Sequence, residues 1–282
     1  MKKRQRKVRL IRAAIQLVFF IVAPALFSTA FAGVKSIFQA IAAGQPVTWN
    51  SFLDVTGALL LITVLFGRHF CGYACAFGSL GDAMYELTLF IRQKVFHKKG
   101  RHGYPEKVVR CLQKVKYILL AFILLSIFTG WYANLQGMSP WDVFSMLHAR
   151  NFKLGGYTLG VVLLVLIVIG MCFQERFFCR VLCPMGAVFS ILPVLPFSNL
   201  RRDRSECIKG CRACTMKCPS DIELAPDTAP ELSGDCFQCQ KCIDTCPKGN
   251  IHTGILALKG NEIWYTVLRA VILLILFKFV GL

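Results

Sequence analysis

Five long apolar stretches set the frame into which the rest of the chain must fit, at about 11–31, 52–66, 117–132, 157–173 and 263–282. In lipid every backbone N–H and C=O must be paired within the chain, so stretches of this kind are expected as helices. Composition agrees: 55% of the 282 residues are hydrophobic, only 17% are charged, and the mean hydropathy is +0.55. Those figures exclude disorder, collagen and coiled coil, and they are too apolar for an ordinary soluble domain. A spanning helix needs about 20 residues. The 52–66 and 117–132 stretches are therefore each expected to continue as helix beyond their apolar runs.

Charge fixes the expected orientation. Lys and Arg number 7 over residues 1–12, 10 over 68–116 and 11 over 176–262. The loops between carry Lys35 alone in one case, and Arg150 with Lys153 in the other. Positive-inside then places the amino terminus, the 68–116 loop and the 176–262 segment in the cytoplasm. Trp49, Trp131, Tyr132 and Trp141 fall toward the outer face, as an aromatic belt should. The net charge of +18 is thereby spent on topology, in runs that face anionic lipid, and a nucleic-acid partner is not expected. The amino-terminal basic run, with the apolar stretch and Ser28–Ala32 after it, resembles a signal peptide; an uncleaved anchor is the preferred reading.

The membrane part is doubled. Phe70-Cys71-x3-Cys75-Ala76-Phe77-Gly78 matches Phe178-Cys179-x3-Cys183-Pro184-Met185-Gly186 at an offset of 108. Upstream, 38–43 faces 144–149 at an offset of 106. Such halves pack about a pseudo-two-fold axis, with a site at their interface.

The cysteines carry the chemistry. Cys207-x3-Cys211-x2-Cys214-x3-Cys218-Pro219 precedes Cys236-x2-Cys239-x2-Cys242-x3-Cys246-Pro247. The second run has the bacterial ferredoxin spacing, and the first has one extra residue after Cys207. Each [4Fe–4S] cube takes three thiolates from one tight loop and the fourth from the other run. One cluster is therefore assigned to Cys207, Cys211, Cys214 and Cys246, the other to Cys236, Cys239, Cys242 and Cys218. A zinc site would leave cysteines over. A disulfide framework needs an oxidising compartment, and topology puts this segment in the cytoplasm. Over 201–262, 9 Lys and Arg balance 9 Asp and Glu, as suits a tethered domain.

Cys71/Cys75 and Cys179/Cys183 are spaced to share helix faces, at the cytoplasmic ends of the second and fourth helices. Three readings stay open for them: a third iron–sulfur centre at the repeat interface, thiol redox chemistry, or packing. Cys111 and Cys172 lack spaced partners and read as packing residues. None of the five histidines falls mid-span, so no haem is expected. His69 and His148 flank the two ends of the bundle and are the candidates for a quinone's proton, with a satisfied interface histidine as the alternative. No Rossmann or Walker pattern is present.

The expected architecture is an α-helical membrane protein of about five transmembrane helices with an internal two-fold repeat, plus a small α+β two-cluster ferredoxin-like domain. Its segments are membrane repeat 1 (1–92), a basic cytoplasmic loop (93–116), membrane repeat 2 (117–199), the ferredoxin domain (200–262) and a terminal helix (263–282). Over roughly residues 10–250 the pattern resembles the NapH/NosR-type membrane ferredoxins. Cys179-x3-Cys183-Pro184 fits that family's motif fully, whereas Ala76 stands where the first copy would have proline. The terminal helix is unlike the four-helix NapH pattern, and the large flavin-binding domain of NosR is not expected. The resemblance implies electron transfer at a bacterial cytoplasmic membrane, as a quinol dehydrogenase component with redox partner subunits. An iron–sulfur accessory or regulatory protein for a membrane oxidoreductase is the alternative. A transporter has only the repeat in its favour, because the spans hold no acidic residue near midplane apart from Asp54 at an edge.

Overall fold

The structure is a computed structural model that describes residues 2–97, 105–135, 138–196, 200–226, 228–254 and 261–279. His102 and the rest of 98–104 in the basic loop, 255–260 before the last helix, and 280–282 at its end lie outside these residues. The described chain is mostly helical, with one two-stranded sheet.

The apolar stretches form helices, and local chemistry sets where each one stops. α1 (Lys2–Val22) and α2 (Leu26–Ala42) replace the single 11–31 helix expected from hydropathy. Pro24 lies in the break, where a missing N–H and a ring clash end a helix, and the two segments bend by 62°. α3 (Ser51–Phe66) opens where the Leu53 N–H donates to Asn50 Oδ1 at 3.0 Å. It stops at Gly67, whose φ is +67°, so this helix does not continue beyond its apolar run. After a short turn of helix, α4 (His69–Tyr73), comes α5 (Ala76–Val95). That 20-residue helix was not separated from the loop by hydropathy, since its polar residues interrupt the apolar run. The third stretch does extend backward as expected: α6 (Glu106–Leu112) and α7 (Val115–Phe128) lie in one apolar helical run, Val108–Phe128.

A 3₁₀ turn (Trp131–Leu135) leads to α8 (Pro140–His148), where the Asp142 N–H donates to Ser139 Oγ and Pro140 opens the helix. α9 (Thr158–Phe173), a π turn (Phe178–Leu182) and α10 (Pro184–Ile191) follow. The remainder holds β1 (Leu200–Arg202), α11 (Ala213–Lys217), α12 (Lys241–Thr245), β2 (Ile251–Thr253) and α13 (Glu262–Phe279).

Among the described residues, Val108–Phe128 alone is long and apolar enough to cross a bilayer, and the bent α1–α2 pair passes if it is one span. α3 and α9 have 16 residues each, about 24 Å at 1.5 Å per residue, against a hydrocarbon core of about 30 Å. Helix length by itself therefore does not carry five spans.

Contacts divide the chain into two compact units that interleave in sequence. Unit 1 comprises Met1–Val22, Ala58–Cys75 and Val188–Leu282; unit 2 comprises Ala23–Gly57 and Ala76–Ala187. Unit 2 packs around an aromatic core. The ring of Phe77 lies 4.4 Å from Phe144, 4.5 Å from Phe178 and 5.6 Å from Phe27. α2 and α3 approach closely at Gly33, where a Cβ would stand 2.4 Å from the Phe52 carbonyl oxygen. In the same unit, buried Arg176 donates through Nε to Asp82 Oδ1 at 3.1 Å and through Nη2 to Oδ2, a two-pronged ion pair. Trp49 and Trp131 are exposed as an interfacial belt would be, but Trp141 is buried in this unit.

Removing one partner of a buried pair leaves an uncompensated charge, at a cost of about 3–5 kcal/mol. Asp82→Asn should lower the thermal midpoint of the detergent-solubilised protein by that measure. The Asp82→Leu/Arg176→Met double variant should lose less than either single change; losses that simply add would show the two groups uncoupled.

Candidate iron–sulfur centre

The 200–254 segment of unit 1 is closed by its sheet. β1 pairs antiparallel with β2 in the register Leu200↔Thr253, Arg201↔His252 and Arg202↔Ile251, bringing the two ends of the cysteine region together. Between them, α11 and α12 pack on each other, and each ends in the same way. Cys214 lies in α11 and Cys218 caps it; Cys242 lies in α12 and Cys246 caps that. Both capping cysteines are extended, with ψ of 125° and 116°. Pro219 and Pro247 impose this, because a residue before proline is driven from the helical region. The extended step turns the chain out of each helix at its fourth cysteine.

The centre of the segment is a core of Cys214, Cys236, Cys242 and Cys246 with Leu200, Leu224, Ile243 and Ile251. A small pocket of about 20 Å³ opens in it, lined by Cys214, Cys218, Cys236, Cys239 and Cys242 among apolar side chains. Cys218, from the first run, is thus among the three cysteines of the second. Burial, and then the charge of Cys239, pushes the Cys218 thiol up to about 11. Burial raises Cys236 and Cys242 well above the ordinary thiol value, and the neighbouring cysteines add to it. Thiols that raise one another in an apolar pocket ionise together only against a positively charged group, so this donor set fits a metal cluster. Among the described residues no three His, Cys, Asp or Glu side chains stand ready to ligate one single ion. A cubane's ligands are held apart by the cluster itself.

The other expected set is more open. Cys214 and Cys246 share the core, Cys207 is half-buried and Cys211 is exposed. Cys207 Sγ lies 4.0 Å from Asn250 Nδ2, just beyond Cys246. The buried Arg202 points a guanidinium N–H at Cys214 Sγ, 3.6 Å away. No disulfide links any cysteine.

Helices of unit 1 seat the second run. Arg12 of α1 donates to the Cys239 carbonyl at 3.1 Å and lies 3.8 Å from Asp244. Gln16 donates to the Gly72 carbonyl at 3.1 Å. The guanidinium of fully buried Arg68 sits 4.7 Å from the Phe237 ring. Gln240 of the run donates to Thr266 Oγ1 of α13 at 2.9 Å. Gln238 and Gln240 take positive φ, +51° and +61°, an uncommon backbone for residues with a Cβ. Hydropathy and charge counting treated Arg12 and Arg68 only as topology signals and missed this seating. The glycine inside Cys71-Gly72-Tyr73-Ala74-Cys75 was the available signal: a Cβ on Gly72 would stand 2.4 Å from the Phe237 carbonyl oxygen and 3.6 Å from the Cys239 Cα.

The C-x3-C pairs do not sit at the ends of α3 and α9, as i,i+4 spacing had led us to expect. A break after Phe66 and another after Phe173 put each pair in a separate short turn. The two turns are alike: the Cys75 N–H donates to the Phe70 carbonyl, and the Cys183 N–H to that of Phe178, both at 2.9 Å. Each second cysteine directly precedes a helix, α5 or α10. Cys183 Sγ also accepts the Gly186 N–H at 3.0 Å. Cys71 and Cys75 are buried in unit 1, and Cys179 and Cys183 are buried in unit 2. Cys172 is half-buried and Cys111 exposed.

His69 is buried in unit 1 and stacks on Tyr73 with ring centroids 4.4 Å apart. Burial, and then the Arg269 guanidinium, holds it well below the ordinary histidine value. His148 ends α8 with its ring 6.4 Å from Phe144. Neither lines the large apolar pocket of unit 2, about 500 Å³ between residues such as Phe122, Leu163, Phe177 and Phe178. Tyr132 and Trp141 are its polar edges. The Tyr132 hydroxyl accepts from Lys35 Nζ at 2.8 Å, and the buried indole N–H of Trp141 has no partner among the described residues.

Comparison with known proteins follows the cysteines. The profile of a family described as a 4Fe-4S binding domain matches residues 52–99 and 157–195, the stretches that contain the two C-x3-C pairs. An uncharacterized protein of Methanocaldococcus jannaschii is 28% identical over 244 residues, 86% of each chain. The putative electron transport protein YccM of Escherichia coli is 26% identical over 79% of this chain and 61% of its own. The ferredoxin-type protein NapH of Haemophilus influenzae is 27% identical over 69% of this chain and 66% of its own. No solved structure matches. With cysteines of both runs in one core and a 4Fe-4S profile matching both C-x3-C stretches, the chain is similar to ferredoxin-like proteins of the NapH/NosR type.

Proposed function

We propose that the chain is a membrane-bound iron–sulfur electron-transfer protein, relaying single electrons between a redox partner protein and the membrane. Cys207, Cys211, Cys214 and Cys246 would hold one [4Fe–4S] cluster, and Cys236, Cys239, Cys242 and Cys218 the other. When bound, each cluster takes up and releases one electron. The chain's own residues set the surroundings. Burial of the second run keeps water from its sulfurs, Arg202 aims an N–H at Cys214 Sγ, and Arg12 fixes the Cys239 carbonyl. Hydrogen bonds to sulfur and solvent exposure both tune a cluster's potential.

The carrying observation is the Gly72 contact. It puts the turn of Cys71 and Cys75 in van der Waals contact with the backbone of the second run, with Cys239 Cα 3.6 Å from an added Cβ. A relay from that run into the membrane part needs such an approach. The profile match over both C-x3-C stretches supports iron–sulfur ligation there as well, as a third centre. The like backbone of the two turns supports the internal repeat; the segments 1–92, 93–116, 117–199, 200–262 and 263–282 are proposed from the sequence alone.

Five spans, with the amino terminus and the ferredoxin segment in the cytoplasm, remain our reading of the topology. Exposed Leu159, Val162, Val165, Leu166 and Ile169 on α9 support it, since that apolar surface faces away from the packed helix side and lipid would cover it. The apolar pocket of unit 2 supports a quinone as the membrane-side reactant: the Trp141 N–H is a donor suited to a ring carbonyl, with an apolar wall for the isoprenoid tail. In this reading a quinone is reduced, or a quinol oxidised, by two electrons and two protons in single-electron steps. The relatives named for electron transport and as ferredoxin-type favour transfer over a maturation role.

Iron and sulfide assays on anaerobically purified protein test the ligand sets. A third centre predicts about 10–12 iron per chain, falling to about 8 in Cys71→Ser/Cys179→Ser; about 8 in both would leave the two ferredoxin-type cubes alone. Gly72→Ala should displace the 236–242 loop and lower iron content by up to about 4 per chain. Full iron content with unchanged electron flow to quinone would sink the contact as the relay point.

A further inference from the structure

The two cysteine runs differ in exposure and charge. Residues 236–246 are largely buried, and the run's one Lys and one Asp cancel. Residues 207–218 lie open. Cys211 is exposed, and so are Lys209 and Arg212 on either side of it. Lys217 is half-buried, and no acidic residue falls between Cys207 and Cys218. The chain returns to the same place after Cys246: Lys248 is exposed, and Asn250 reaches Cys207 Sγ at 4.0 Å. The nearby acids do not cancel this charge. Glu223 is paired with Arg204 at 2.9 Å, which leaves exposed Glu206 and half-buried Asp203 and Asp221 against Lys209, Arg212, Lys217 and Lys248. Ile208 and Met216 in the same run are 51% and 67% exposed.

We propose that Lys209, Arg212 and Lys248, with Ile208 and Met216, form the docking face for an acidic single-electron carrier protein. The proposal rests on the reading that Cys207, Cys211, Cys214 and Cys246 hold a cluster. Transfer between proteins falls steeply with distance, so the exchanging cluster must reach the surface, and Cys211 does. Clustered cations steer an anionic partner to that point and orient it, while exposed apolar side chains give the encounter a dry centre. One electron passes per encounter: the carrier loses it and the 207–246 segment gains it, or the reverse, with no bond made or broken. Anionic lipid would also be drawn to these cations, but it would cover Cys211 and leave no route for an electron to leave the segment.

The full chain in neutral detergent micelles, anaerobic and iron-assayed, is titrated with a plant-type [2Fe–2S] ferredoxin as the acidic probe. Wild type should bind it, and binding should weaken steeply as salt rises. Lys209→Gln/Arg212→Gln/Lys248→Gln should retain wild-type iron content, bind at least tenfold more weakly and show a shallower salt dependence. Ile208→Ser/Met216→Ser, which keeps every charge, should weaken binding without changing the salt slope. Equal affinity in the triple variant would overturn the proposal, as would equal binding of a basic cytochrome c. Binding of phosphatidylglycerol vesicles through these three residues, with no ferredoxin bound, would assign the face to lipid instead. Wild-type protein without iron would overturn the cluster reading itself, and the iron assay reports that separately from affinity.

Discussion

The 200–254 segment has thiols where a domain of its size would have a hydrophobic core, and the rest of the structure follows from holding them. Buried thiols resist ionising, and each ionised sulfur raises the next, as Cys218, Cys236 and Cys242 show. A bound metal cluster would relieve that repulsion. The geometry that prepares for it is modest: two five-residue helices, each ended by an extended Cys-Pro step. The two-stranded sheet then ties the ends of the segment together.

A segment this small gains rigidity from what it sits on. Arg12, Gln16 and Arg68, with Thr266 of the last helix, hold the 236–242 loop and the Gly72 turn by hydrogen bonds and a cation–π contact. The result is polarity in function as well as in structure. One cysteine run is sealed against helices of unit 1, and the other is left open with three cations around it. The proposed relay would use that asymmetry: one end closed to water against the helices of unit 1, one end open to a partner.

Much of this was legible in the residues. The cysteine spacings led to the cross-run assignment; the structure brings both Cys214 and Cys218 of the first run beside Cys236, Cys239 and Cys242 in one pocket. Apolar runs located the helices, but not their ends. Pro24, Gly67 and the breaks before Cys71 and Cys179 are local backbone events that a hydropathy average smooths away. α5 was hidden because Asp82, Glu86, Thr88 and Arg92 interrupt its apolar run. Arg12 and Arg68 were lost for a different reason. A cation near a membrane span carries the same sequence signal whether it faces lipid headgroups or turns inward onto a carbonyl and a ring. The positive φ values of Gln238 and Gln240 have no signal at all, since tertiary packing imposes them.

The central claim is that ligands cross between the two runs, so that Cys218 belongs with Cys236, Cys239 and Cys242. Anaerobic EPR of the reduced protein in three single variants, Cys218→Ser, Cys239→Ser and Cys211→Ser, tests it most directly. Cross-run ligation predicts that Cys218→Ser and Cys239→Ser leave the same surviving spectrum, free of spin coupling, and that Cys211→Ser leaves the other. A Cys218→Ser spectrum that matched Cys211→Ser instead would mean that each run holds its own cluster, and would contradict the account.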